Sequence, residues 1–264
     1  MKFTERRRAK ALLRADGLQR SALGMVWEWF RSVTIALAMF FVVRAFVVEA
    51  FKIPTGSMEG TLLVGDFLLV NKMVYGADVP FTGVKLPAIR SPERGDIIVF
   101  QWPLDRTKNF VKRIVGMPGD TVAMTDGAML LNGRIQQEPY AMHTSPGSDV
   151  TDEEFKWQLG YLLNANEPVR QPPRNPLGVS TLEASPGYHP TRNNWGPLVV
   201  PKGNYFVLGD NRDNSLDSRY WGWVADSLVR GQPLVVYYSY NPEGAVKLDW
   251  FTRVRWKRFG EMIQ

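Results

Sequence analysis

The chain has 264 residues, 45% of them hydrophobic and 22% charged, which suits one large folded domain or two small ones and argues against global disorder. It has no cysteine, which excludes a disulfide scaffold, a cysteine nucleophile, a zinc ribbon and an iron–sulfur site. The net charge of +6 is concentrated at one end: residues 1–20 hold seven basic and two acidic side chains, so the remainder is nearly neutral and does not read as a nucleic-acid binder.

The basic tail (1–24) runs into an apolar segment. Ser32 to Val43 is uncharged, and Met25 to Val48 makes 24 residues with three charges. About 20 apolar residues span a bilayer. Trp27 and Trp29 suit an interface, and Arg31 and Arg44 can snorkel to opposite sides. The segment 25–48 is expected to be a transmembrane anchor. A buried helix of a soluble fold stays open, as does a cleavable signal sequence ending at Val48-Glu49-Ala50. For a spanning helix, the basic residues on its N-terminal side put the N-terminus in the cytoplasm and the body outside.

After Lys52 the apolar runs are short, β-branched and bounded by Gly, Pro, Asn or Asp. Strands are expected at Thr61–Leu63, Phe67–Val70, Asp96–Gln101, Phe110–Val115, Thr121–Thr125, Ala128–Leu131, Tyr205–Leu208 and Leu234–Tyr238. Asn132-Gly133 between apolar runs predicts a two-residue hairpin. No strong helical period follows position 50. The fold class is therefore mainly β and antiparallel, with the β-rich body at 49–140 and 201–264. Residues 141–200 hold eight prolines and read as a loop-rich insertion without a core of its own.

Elimination narrows the chemistry. The two histidines, His143 and His189, both lie in the insertion, and there is no G-x-S-x-G elbow, zinc-protease helix, P-loop or dinucleotide fingerprint. The acidic run from Asp210 fails as a calcium loop, because Ser218 and Val224 stand where glycine and glutamate are needed.

Four segments remain: Ile53-Pro54-Thr55-Gly56-Ser57-Met58, Gly65 to Lys72, Lys112-Arg113-Ile114-Val115-Gly116-Met117-Pro118-Gly119-Asp120, and Gly209 to Gly222, which opens Gly-Asp-Asn-Arg-Asp-Asn-Ser. In this order, after an N-terminal anchor, they resemble the bacterial type I signal peptidases over residues 40–125 and 203–224. The resemblance implies a β-rich catalytic domain on the outer face of the cytoplasmic membrane, cutting signal peptides from exported preproteins after small residues, often Ala-x-Ala. It implies Ser57 as nucleophile and Lys112 as general base. A serine hydroxyl needs a base, and lysine serves near neutrality only when its ammonium is destabilised, as burial among Phe110, Val111, Ile114 and Val115 would do.

Carried over in the same way, the Ser57 backbone N–H and the Thr55 hydroxyl stabilise the oxyanion, although many members have serine at the Thr55 position. Ser215 matches a serine that hydrogen-bonds the lysine, and Asp217 and Arg219 match an ion pair holding that loop. Phe51, Ile53, Pro54, Leu62 and Val111 match the walls of the substrate pocket. Gly60 departs from the family, which often has proline there, and is expected to loosen the loop. No metal or organic cofactor is called for. Expected partners are signal peptides and membrane lipid, not nucleic acid. Two rivals are another Ser/Lys peptidase and a silent membrane-tethered binding domain. A self-cleaving repressor needs a DNA-binding domain that residues 1–24 are too short to form.

Overall fold

The structure, a computed structural model, describes residues 24–79, 82, 84–145, 149–162, 188–242 and 253–263. The basic tail 1–23 and the middle of the insertion lie outside the described residues. The chain divides into two units, Met1–Val47 and Val48–Gln264. In the first, Gly24–Val47 is one continuous helix, long and apolar enough to cross a membrane. Its last five residues, Val43–Val47, widen into a π-helical turn.

The second unit is built on antiparallel strands. Among the described residues its larger sheet has eight strands. Seven run in the order β1 (Val48–Lys52), β2 (Asp66–Asn71), β11 (Val229–Ser239), β3 (Ile97–Trp102), β4 (Asp105–Gly116), β9 (Asn204–Leu208), β10 (Val224–Ala225), while β12 (Glu261–Met262) pairs with β11. A smaller sheet orders β7 (Arg134–Ile135), β6 (Ala128–Leu131), β5 (Thr121–Thr125) and β8 (Trp195–Val199). The side chains of β2 alternate buried and half-buried along the strand, the period-2 pattern of a sheet with one covered face. Between β6 and β7, Asn132 and Gly133 both have positive φ, 51° and 77°, as a primed hairpin turn requires.

Three buried clusters fill the interior. One lies around Ile98, Phe100, Ile114 and Val207, and a second around Val122, Met124, Leu198 and Phe206 on the small sheet. The third joins Ile53, Met58, Leu62, Leu68, Val99 and Val236 beneath the Ser57 turn.

The strands depart from the sequence expectation: the two-residue strands β10 and β12 were not expected, and three further differences bear on the site and the core. Thr61–Leu63 forms no strand; its apolar residue, Leu62, is fully buried as an anchor of the turn, with its N–H donating to the Met58 carbonyl at 2.7 Å. Val48–Lys52, which continues the apolar helix in sequence, is a strand because it pairs residue for residue with β2, Val48 to Asn71 through Lys52 to Phe67. The third is β8, inside the Pro-rich stretch: it pairs with β5, and Trp195 and Leu198 are buried in the second cluster. The end of the insertion therefore contributes to the core of the small sheet.

Candidate active site

The stretch from Ile53 to Asp66 is a closed loop. The Ile53 N–H donates to the Asp66 carbonyl at 2.8 Å, and the Gly65 N–H returns to the Ile53 carbonyl at 3.0 Å. At its tip a single 3-10 turn, Gly56–Met58, presents Ser57 while the Met58 side chain is buried below it. The Ser57 carbonyl accepts from the Asn211 N–H at 3.2 Å, which ties the tip to the loop after β9.

Lys112 reaches the same point from the middle of β4, paired with Ile98 on β3. Its side chain is 4% exposed. Lys112 Nζ lies 2.7 Å from Ser57 Oγ and 3.1 Å from the Val111 carbonyl, with the Phe110 ring centroid 5.4 Å away. Burial among apolar groups penalises the ammonium and brings its pKa down from 10.5 to about 8, against Asp217 and Asp210, which favour the charge. A neutral amine at this distance can accept the hydroxyl proton.

The loop Gly209–Arg219 closes around this pair. Asp217 and Arg219 are both fully buried and form a two-pronged ion pair, Nε to Oδ1 and Nη2 to Oδ2, each 2.8 Å. Burial by itself would raise the Asp217 pKa. The charge and bonds of Arg219, with the Gly209 N–H donating at 3.1 Å, overcome that and hold it low. Gly209 has no space for a side chain: a Cβ there would lie 2.2 Å from Ser215 Oγ and 2.4 Å from the Ser57 carbonyl oxygen. Ser215 is buried against this glycine. Its hydroxyl approaches the Asp217 carboxylate without a well-formed hydrogen bond, and the partners of Lys112 Nζ are Ser57 and Val111.

Thr55 is exposed, in extended backbone geometry (φ −131°, ψ 156°), and its hydroxyl makes no capping bond to the turn. Phe51 and Val111 are half-buried and pack on the third cluster, where Ile53 is buried; Pro54 is exposed. Leu62 has no exposed surface, so it shapes this region only from beneath. Gly60 has φ +101°, a conformation closed to proline's ring, and a Cβ there would lie 2.6 Å from Met142 Sδ. This chain therefore follows a backbone path at position 60 that a proline could not.

Sequence reasoning missed a second buried pair. Arg113, next to the lysine, holds Asp210 with Nε to Oδ1 at 2.9 Å and Nη2 to Oδ2 at 2.8 Å, and the Thr61 hydroxyl donates to Asp210 at 2.6 Å. It also missed how the insertion braces the loop. The Trp157 and Gln158 side chains both donate to the Arg219 carbonyl, at 2.9 and 3.1 Å, and an Arg192 N–H donates to the Asp213 carbonyl at 2.9 Å. An arginine beside the lysine and a tryptophan–glutamine pair before a buried loop were signals in the sequence, but their partners are distant along the chain.

Comparisons with known proteins agree with the motifs. A family profile described as signal peptidase, peptidase S26, matches residues 26–238. Signal peptidase I of Pseudomonas fluorescens is 36% identical over 238 residues, covering 86% of this chain and 78% of that protein. Signal peptidase I of Aquifex aeolicus is 34% identical, covering 78% of this chain and 81% of its own. A crystal structure of a signal peptidase I from Enterococcus faecalis is 32% identical and covers 55% of this chain and 98% of its own, with a TM-score of 0.33. Matched by the profile along most of its length and to relatives over more than three quarters of theirs, the chain belongs to the signal peptidase family, peptidase S26.

Proposed function

We propose that the chain is a membrane-anchored serine endopeptidase that removes signal peptides from exported preproteins after small residues, with Ser57 as nucleophile and Lys112 as general base. The observation that carries this reading is the 2.7 Å approach of Ser57 Oγ to an amine whose burial lowers its pKa to about 8. The neutral Lys112 amine takes the Ser57 proton as Oγ attacks the scissile carbonyl. The Ser57 N–H and the Thr55 hydroxyl donate to the resulting oxyanion. The Lys112 ammonium then gives its proton to the leaving amine as the peptide bond breaks, and an acyl-serine remains. Water deprotonated by the same amine releases the signal peptide and restores Ser57.

Asp217 and Arg219 hold the loop behind this pair, and Ser215 packs beside it against Gly209. Phe51, Ile53, Pro54 and Val111, with Leu62 beneath, give an apolar wall that favours alanine-sized side chains at the first and third positions before the cut. The helix Gly24–Val47 serves as a single-pass anchor with the N-terminus in the cytoplasm and the body on the outer side of the bacterial inner membrane. Exposed Trp256, Phe259 and Met262 on the body suit contact with lipid headgroups.

The test is hydrolysis of a short peptide bearing an Ala-x-Ala site, in detergent, by the wild-type and Ser57→Ala proteins. Wild type should cut once, after the second alanine, and Ser57→Ala should not cut. Equal rates would overturn the assignment of the nucleophile.

A further inference from the structure

Glu59 stands two residues beyond Ser57 and belongs to none of the buried clusters. Its carboxylate turns back over the tip of the nucleophile turn: Oε2 would lie 3.1 Å from a Cβ on Gly56, the residue before Ser57. That Cβ position would also lie 3.5 Å from Asn214 Nδ2. The Asn211 amide donates to Glu59 Oε2 at 3.4 Å. Among the described residues no cation pairs with Glu59, whereas Glu138, Asp210 and Asp217 nearby each hold an arginine. The result is a part-exposed, unneutralised carboxylate on the rim of the site, bonded to the Asn211 side chain of the Gly209–Arg219 loop.

The path of the proton bears on which side of the cut this rim faces. A general base that takes the nucleophile's proton returns it to the leaving amine, so the leaving chain lies on the base's side. The loop bonded to Glu59 is tied to the base's own strand: Arg113, the residue after Lys112, holds Asp210 through bonds of 2.9 and 2.8 Å. The apolar residues Phe51, Ile53 and Val111 pack in a separate cluster suited to the chain before the cut.

We propose that Glu59 is a specificity residue that reads charge just after the cleaved bond, favouring substrates with lysine or arginine in the first positions of the mature chain and disfavouring aspartate or glutamate there. The proposal rests on the Ser57–Lys112 reading. Two unit charges about 4 Å apart in water interact by about 1 kcal/mol, several-fold in a rate constant, and salt screens them. Only the difference between substrates reports it.

The experiment uses the full-length protein in detergent at low ionic strength. Its substrates are peptides identical up to the cut, with Lys-Lys, Gln-Gln or Glu-Glu after it. Wild type should show a kcat/KM ratio of Lys-Lys to Glu-Glu of about three to ten. Glu59→Gln should bring that ratio towards one, Glu59→Lys should invert it, and 0.5 M salt should compress it in wild type. An unchanged ratio in Glu59→Gln overturns the proposal. So does an effect of Glu59→Gln that tracks charges placed before the cut. Cleavage that persists in Ser57→Ala would instead remove the reading on which the proposal rests, whatever the charge ratio.

Discussion

Ser57 and Lys112 meet at hydrogen-bond distance but come from opposite kinds of structure. Lys112 lies inside β4, held by a ladder on each side: Ile97 to Phe100 on β3 face Arg113 to Phe110, and Val207 and Leu208 on β9 face Ile114 and Arg113. Ser57 sits on a three-residue turn, half-buried, fixed by the Met58 side chain below and one bond from Asn211. The sheet carries the expensive part, a lysine kept out of water. The turn carries the part that, on the proposed mechanism, must receive a substrate from solvent. The loop Gly209–Arg219 joins the two, bonded to the turn through Asn211 and set by its charges around the lysine.

The sharpest way to break this division is at the base. Lys112→Ala should lower kcat on the order of 10⁴-fold or more, as loss of one member of a nucleophile–base pair does elsewhere. Lys112→Arg should be as inactive, because a guanidinium does not give up its proton in this range. His143→Ala and His189→Ala should stay within about threefold of wild type, since neither side chain bonds to Ser57 or Lys112. Loss of turnover in either histidine variant with unchanged thermal unfolding would sink the lysine assignment.

The next effect tests the joining loop. Gly209→Ala puts a methyl 2.2 Å from Ser215 Oγ and 2.4 Å from the Ser57 carbonyl. The loop and the Ser57 turn must then separate, and a misplacement near 1 Å costs about a hundredfold in kcat. KM should move little, because the apolar wall before the cut is untouched. A Gly209→Ala enzyme with wild-type kcat would mean that the loop does not set the position of Ser57.

The mildest test reads the cost of the buried amine. Activity should rise with pH as Lys112 loses its proton, with the limb in kcat/KM near pH 8. The folded pKa is lowered, so the unfolded chain binds more protons between about pH 8 and 10.5; stability rises across that window, and the full cost is present below it. At 1.36 kcal/mol per pKa unit the cost is about 3 kcal/mol. Lys112→Met should therefore unfold at higher denaturant than wild type at pH 6.5, and the gap should close by about pH 10.5. A limb near pH 10, or a Lys112→Met protein no more stable than wild type at pH 6.5, would show that the amine is not desolvated.

Local chemistry was legible in the sequence, and long-range pairing was not. Asn132-Gly133 announced its hairpin because the turn type depends on those two residues alone. Five strands of the large sheet, β2, β3, β4, β9 and β11, showed as short apolar runs. Val48–Lys52 was hidden because its apolar residues continue the helix before it, and only its partner strand defines it. Leu62 misled in the other direction, since a buried anchor in a turn has the same composition as a short strand. The site followed the same division. Ser57 and Lys112 stood out through motifs, but the contact between them spans 55 residues and that between Arg113 and Asp210 spans 97, distances no local pattern encodes. Ser215 shows the limit from another side. A motif places the residue, while the orientation of its hydroxyl depends on Gly209 and Asp217 around it.

The bonds from Trp157 and Gln158 to the Arg219 carbonyl bear on how far such an enzyme can be shortened. A designer paring the chain to its strands and motifs would cut at the prolines and discard both donors. The carbonyl they leave lies in a dry interior, where an acceptor without a donor costs about as much as a lost hydrogen bond or more. It belongs to the arginine that neutralises Asp217. The minimal peptidase is therefore larger than its motifs, and a truncation that keeps every catalytic side chain would still loosen the ground beneath them.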